Sequence, residues 1–180
     1  CEVYAVVRED SALWRIKEVI PGLNLVHCDV LALDKLGLQI EAIKPDLGLH
    51  LAWYAVPGKY LTANENLGML NASLELASHL TSVGCKRFVG IGTCFEYDTG
   101  FGYLSEASPT KPQSLYAASK LALQIVLEQL GKETGMAIAW ARLFYQYGPF
   151  EDERRLMPSI ICSLLRNQEV KVTKGEQIRD

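Results

Sequence analysis

No run of apolar residues approaches the roughly 18–20 that a helix needs to cross a bilayer, which excludes an ordinary membrane-spanning helix. Charge of one sign is also scarce: 18 Lys plus Arg stand against 21 Asp plus Glu, a formal net charge of −3. That balance offers no basic surface for nucleic acid and no polybasic stretch for an anionic membrane. The five cysteines (Cys1, Cys28, Cys85, Cys94, Cys162) are odd in number and include no CxxC pair, which argues against a disulfide framework and against a zinc site. His27, His50 and His79 are scattered without metal-ligand spacing, so no metal is expected. The opening Cys1-Glu2-Val3-Tyr4 has neither an initiator Met nor the charged-then-apolar pattern of a signal peptide. Together these absences lead us to expect a reduced, cytoplasmic, soluble protein.

What remains is an ordinary globular composition, 49% apolar and 22% charged. Its length of 180 residues suits one domain, or one domain with part of another. Apolar runs alternate with helical periods. Strands are predicted at Val3–Val7, Leu23–His27, Leu47–Ala52, Lys86–Gly92, Met136–Leu143 and, briefly, Val170–Val172. Helices are predicted from the N-cap Ser11 to Ile20, where Pro21-Gly22 breaks the pattern, and over Asp34–Ile43, Asn64–Val83, Ser114–Thr134 and Leu156–Leu165. Gly84 and Gly135 stop two of them.

Strands that are continuously apolar and separated by helices imply a parallel sheet covered on both faces, a doubly wound α/β fold. Charge replaces apolar residues between Pro149 and Arg155. We therefore expect a first domain over residues 1–150 and the beginning of a second over 151–180. In doubly wound sheets ligands bind beyond the carboxyl ends of the strands, which directs attention to residues 8–10, 28–30, 52–54, 93–97 and 144–149.

The chemistry-bearing pattern is Tyr116-Ala-Ala-Ser-Lys120, in the first turns of the longest predicted helix. The i, i+4 spacing puts phenol and ammonium on one helix face. A free tyrosine, with a pKa near 10, is a poor proton shuttle at neutral pH, and a neighbouring ammonium favours the phenolate. Thr93 ends a strand 23 residues earlier and could bond a substrate oxygen beside the tyrosine. Alone, the Tyr–Lys spacing describes a solvated helix surface as well as a catalytic pair.

The company it keeps is more telling. Cys28-Asp29-Val30, His50-Leu51-Ala52-Trp53, Asn66 through Glu75, Lys86 through Tyr97, Arg142-Leu-Phe-Tyr-Gln-Tyr-Gly-Pro149 and Gly175-Glu-Gln-Ile-Arg179-Asp180 follow one another in order. With the YxxxK, this series resembles the extended short-chain dehydrogenase/reductase family, the NAD-dependent epimerase/dehydratases that act on nucleotide sugars. The resemblance implies a Rossmann-like fold and a catalytic set of Thr93, Tyr116 and Lys120. It also implies a cofactor contacted by Arg8, Asp29, Val30, Leu51, Ala52, Trp53, Tyr116 and Lys120. Substrate contacts would come from Thr93, Tyr145 and Arg179, with Tyr145 standing where the family usually has Asn. A homodimer through the two longest helices is also implied.

Two departures qualify the resemblance. The family opens with a strand, a GxxGxxG loop and a helix whose N-terminus holds the pyrophosphate. This chain begins at what looks like the second strand and stops inside a motif, so it reads as a piece truncated at both ends, with an incomplete sheet. Dehydratases of the family also carry an acidic pair directly after the catalytic Thr. Here Cys94-Phe95 occupy those places and Glu96 falls one place late, which disfavours 4,6-dehydration. Cys94 is expected to be a small buried residue rather than an acid or base.

Cofactor choice turns on the end of the first strand. Arg8, with Ser11 nearby, suits a ribose 2′-phosphate and favours NADP, whereas Glu9 and Asp10 would suit the free hydroxyl of NAD. The expected function is an NAD(P)-dependent epimerase or 4-ketoreductase of a nucleoside-diphosphate sugar. The alternative is a cofactor-binding regulatory or scaffold protein of the same fold that does no catalysis.

Overall fold

The structure is a computed structural model that describes residues 1–170, 172 and 174. Five strands and four α-helices follow one another as β1 (Tyr4–Val7), β2 (Asn24–His27), α1 (Leu33–Ile43), β3 (Leu47–His50), α2 (Glu65–Ser82), β4 (Arg87–Thr93), α3 (Leu115–Thr134), β5 (Ala137–Leu143) and α4 (Leu156–Leu165). Two compact units divide the chain, Cys1–Arg142 and Leu143–Asp180.

In the first unit β1 pairs with β2 in parallel, Tyr4 opposite Asn24 through Val7 opposite His27. β3 pairs with β4 in parallel, Leu47 opposite Arg87 through His50 opposite Gly90. The strand order β3-β4-β5 completes a three-stranded sheet. The single sheet expected from the sequence is thus present as two, β1–β2 and β3–β4–β5. Parallel strands connected through helices make this a Rossmann-like α/β fold.

The core is built by the apolar stripes of the helices against β4. Phe88, Leu123 and Leu127 are completely buried, and Leu36, Ile40, Leu80 and Met136 nearly so. α3 starts cleanly because the Ser114 hydroxyl accepts the Ala117 N–H at 3.2 Å, filling one of the helix's orphan donors. It stops at Gly135, whose left-handed φ of 77° most side chains resist. Gly92 lacks a side chain because Trp140 and Glu96 occupy the space where a Cβ would stand.

One predicted helix is absent. Ser11–Ile20 folds instead as two 3₁₀ turns, Leu13–Ile16 and Ile20–Gly22. None of its residues is buried, and a short helix draws most of its stability from packing an apolar face. Ser11 does turn its hydroxyl to local use, accepting the Arg8 N–H at 3.1 Å. β3 ends at His50, so Leu51 and Ala52 belong to the loop that follows.

The second unit carries α4, with Arg166 at its end paired to Glu153 through two 3.0 Å hydrogen bonds. The short strand expected at 170–172 does not form at Val170 or Val172, and Lys171 lies outside the described residues.

Candidate functional site

Thr93 is the last residue of β4 and caps the 3₁₀ turn Cys94–Glu96. Its backbone N–H donates to Glu96 Oε1 at 2.8 Å, and its hydroxyl accepts the Phe95 N–H at 3.3 Å, a reciprocal capping box. Tyr116 enters at the start of α3, and its backbone N–H, donating to the Leu61 carbonyl at 3.1 Å, ties the helix to the preceding loop. The Tyr116 ring meets Tyr60 edge-on at 4.9 Å and Trp53 at 6.4 Å.

Lys120, one turn further, is 3% exposed. Its ammonium donates to the Ile91 carbonyl at 2.7 Å and lies 3.8 Å from the centre of the Trp53 ring. Burial pulls its pKa down to about 7, with Glu96 opposing. The Tyr116 phenol is pushed up rather than down. Burial is the main cause, a hydrogen bond with the Thr93 hydroxyl works against it, and Tyr60, Glu96 and Cys94 add to the rise. The lowering by the lysine that the sequence led us to expect is not among the causes of this shift, and burial prevails.

Around this trio stand residues singled out from the sequence and others that were not. Trp53 lies against Lys120, its indole N–H fixed on Asn66 Oδ1 at 2.8 Å. Cys94 is buried, as expected. Glu96, read only as an acid one place out of register, is completely buried and engaged at both oxygens. It receives Trp140 Nε1 at 3.1 Å and Arg142 Nε at 2.6 Å besides the Thr93 amide. The Thr-x-x-Glu spacing of a capping box was the available signal for this. His50 is buried as well, its Nε2 2.7 Å from Ser73 Oγ, and burial together with Lys120 lowers its pKa to about 4.

The remaining candidates occupy strand ends. Arg8 follows β1 and pairs with Asp10 at 3.4 Å. Asp29 follows β2 and accepts the Leu31 N–H at 2.9 Å, while Val30 packs against the core. Leu51 and Ala52 are exposed. Tyr145 belongs to the second unit and is 47% exposed, and Arg179 lies outside the described residues.

Parallel strands with polar residues gathered at the carboxyl ends of β1, β2 and β4 define a Rossmann-like α/β protein. The model of the NAD dependent epimerase/dehydratase family matches residues 1–180, and the chain belongs to that family. A dTDP-glucose 4,6-dehydratase of Xanthomonas campestris pv. campestris is 28% identical over 131 residues, which cover 69% of this chain and 37% of that protein. A probable dTDP-glucose 4,6-dehydratase of Sinorhizobium fredii is 27% identical over 168 residues, 85% of this chain and 47% of that one. The chain thus spans less than half the length of these curated relatives.

Among solved structures, the UDP-glucose 4-epimerase of Thermotoga maritima, determined with UDP-glucose, superposes with a TM-score of 0.83 at 21% identity, over 99% of this chain and 60% of that one. A double mutant of the dTDP-glucose 4,6-dehydratase of Streptomyces venezuelae, which holds NAD, gives 0.77 at 22% identity, over 99% and 57%.

Proposed function

We propose that this chain supplies the catalytic half of an NAD(P)-dependent epimerase or 4-ketoreductase of nucleoside-diphosphate sugars. The observation that carries the reading is that Tyr116 and the buried Lys120 stand one turn apart on α3, with the Lys120 ammonium on the Ile91 carbonyl of β4, two residues before Thr93. The donor set suits a nicotinamide nucleotide. An ammonium has three N–H donors, and Lys120 commits one to the Ile91 carbonyl, keeping capacity for ribose hydroxyls. When bound, the cofactor would exchange a hydride with a sugar carbon. Tyr116 would take or give the proton of the sugar oxygen at that carbon, and Thr93 would hold the same oxygen. The raised pKa keeps the phenol protonated at neutral pH, so as it stands it is placed to give the proton rather than to take it, and only as a weak acid.

Dehydration is disfavoured. Cys94 and Phe95 offer no carboxylate after Thr93, and Glu96 has both oxygens engaged. Arg8, Asp29, Val30, Leu51, Ala52 and Trp53 are assigned to the cofactor, Tyr145 and Arg179 to the sugar nucleotide. Arg8 favours NADP, although its pairing with Asp10 means that a 2′-phosphate would compete with a carboxylate. Residues 1–150 are assigned to the cofactor domain and 151–180 to the start of the substrate domain. A homodimer through α2 and α3, and a cytoplasmic setting that keeps the five cysteines reduced, complete the proposal.

The test has two stages. NADPH and NADH are titrated against this chain and against a longer one that extends it at both ends, and each is then offered UDP- and dTDP-sugars. Tyr116→Phe should retain cofactor binding and lose about 10²–10⁴-fold in turnover. Full turnover in that variant would defeat the catalytic assignment.

A further inference from the structure

Glu96 is a carboxylate with no exposed surface, held by donors from three directions. Its own turn presents the Thr93 amide, and β5 presents Trp140 Nε1 and Arg142 Nε. Arg142 does not stop there. Its guanidinium stacks over the Tyr97 ring at 4.5 Å and donates to Gln124 Oε1 at 2.6 Å. Gln124 stands on α3 one turn beyond Lys120 and two beyond Tyr116, on the same i, i+4 row. One continuous polar path therefore joins the Thr93 backbone, through Glu96 and Arg142, to the helix that carries the other two residues of the site.

We propose that Glu96 is a positioning residue: it locks the Thr93 hydroxyl against the Tyr116 phenol, and its Arg142 pairing keeps the carboxylate from serving as an acid or base itself. This rests on the reading of Thr93, Tyr116 and Lys120 as the catalytic set. A carboxylate serves better here than a neutral acceptor, because it can receive three donors at once and hold a guanidinium in fixed geometry. It also sets the field at the site, since its charge raises the pKa of both Tyr116 and Lys120. The other titratable groups facing these two are Tyr60 from the loop, Cys94 from the turn and His50 from β3.

The experiment follows Tyr116 by ¹³Cζ-tyrosine NMR and Lys120 by ¹³Cε-lysine NMR in this chain, with hydrogen exchange at the Thr93 amide. Glu96→Gln keeps an acceptor and removes the charge, so both residues should titrate lower than in the parent. Glu96→Ala removes the acceptor as well, and the Thr93 amide should exchange at least tenfold faster. Should the single variants fail to fold, Glu96→Gln combined with Arg142→Met removes both charges together and leaves no unpaired ion in the core. Titrations and exchange unchanged from the parent in any folded variant would overturn the proposal and leave Glu96 a core ion pair only. The catalytic reading fails on a different result, full turnover in Tyr116→Phe, which these spectra do not measure.

Discussion

The Lys120 ammonium faces the Trp53 indole at 3.8 Å, close enough for the ring to replace part of the water that burial removed. Trp53 thus sets a large π-face over the cation. Such contacts are worth roughly 0.5–2 kcal/mol, and one pKa unit corresponds to about 1.4 kcal/mol. Trp53→Leu should therefore lower the Lys120 pKa from about 7 by roughly half a unit to one unit, read by ¹³Cε-lysine NMR. An unshifted titration would mean that the Ile91 carbonyl and Glu96 sustain the charge without the ring.

His50 makes stability depend on acid. The Ser73 hydroxyl spends its proton on the Met69 carbonyl at 2.6 Å, so His50 Nε2 must be the donor in the pair and Nδ1 the nitrogen that would take a second proton. Its folded pKa of about 4 lies below the ordinary 6.5, so the unfolded chain binds more protons between those values. Stability should fall as pH drops from 6.5 to 4, by at most about 3 kcal/mol from this group. His50→Gln should flatten that limb in urea denaturation measured across the pH range. An equally steep limb in the variant would assign the acid sensitivity to other groups.

The buried pair Glu96–Arg142 should be costly to halve and cheaper to remove whole. Arg142→Met strands a carboxylate with no exposed surface and should cost about 3–5 kcal/mol. Adding Glu96→Gln should recover a substantial part of that loss in denaturant unfolding. A double variant no more stable than Arg142→Met alone would show that Arg142 acts chiefly by packing on Tyr97 and bonding Gln124.

The strands and long helices could be read from the sequence because one signal, the period of apolar residues, covered them without competition. Phe88 and Leu123 sit where that period places them, completely buried. The Ser11–Ile20 segment was also expected to be a helix, but with none of its residues fully buried it took short 3₁₀ turns. At the candidate site, the Tyr116–Lys120 pair was legible from its i, i+4 spacing, Thr93 from its place at a strand end, and Trp53 only through the family resemblance. The rise of the Tyr116 pKa was not, since it depends on desolvation that no i, i+4 rule measures. Arg142 could be seen only as a motif letter, because its partner Glu96 lies 46 residues away in sequence.

The division of the strands into two sheets has a consequence for self-association. β1 and β3 each pair with one neighbouring strand among the described residues, so each has an edge without a ladder partner. Leu47 and Leu49 on β3, and Tyr4 and Val6 on β1, are all more than 40% exposed. Such an edge is a template for intermolecular pairing. Oligomers that form as concentration rises can therefore arise strand to strand as well as helix to helix. The two routes would give particles of the same mass, but strand pairing slows amide exchange over Leu47–His50, whereas helix pairing leaves those amides fast and protects the outer faces of α2 and α3.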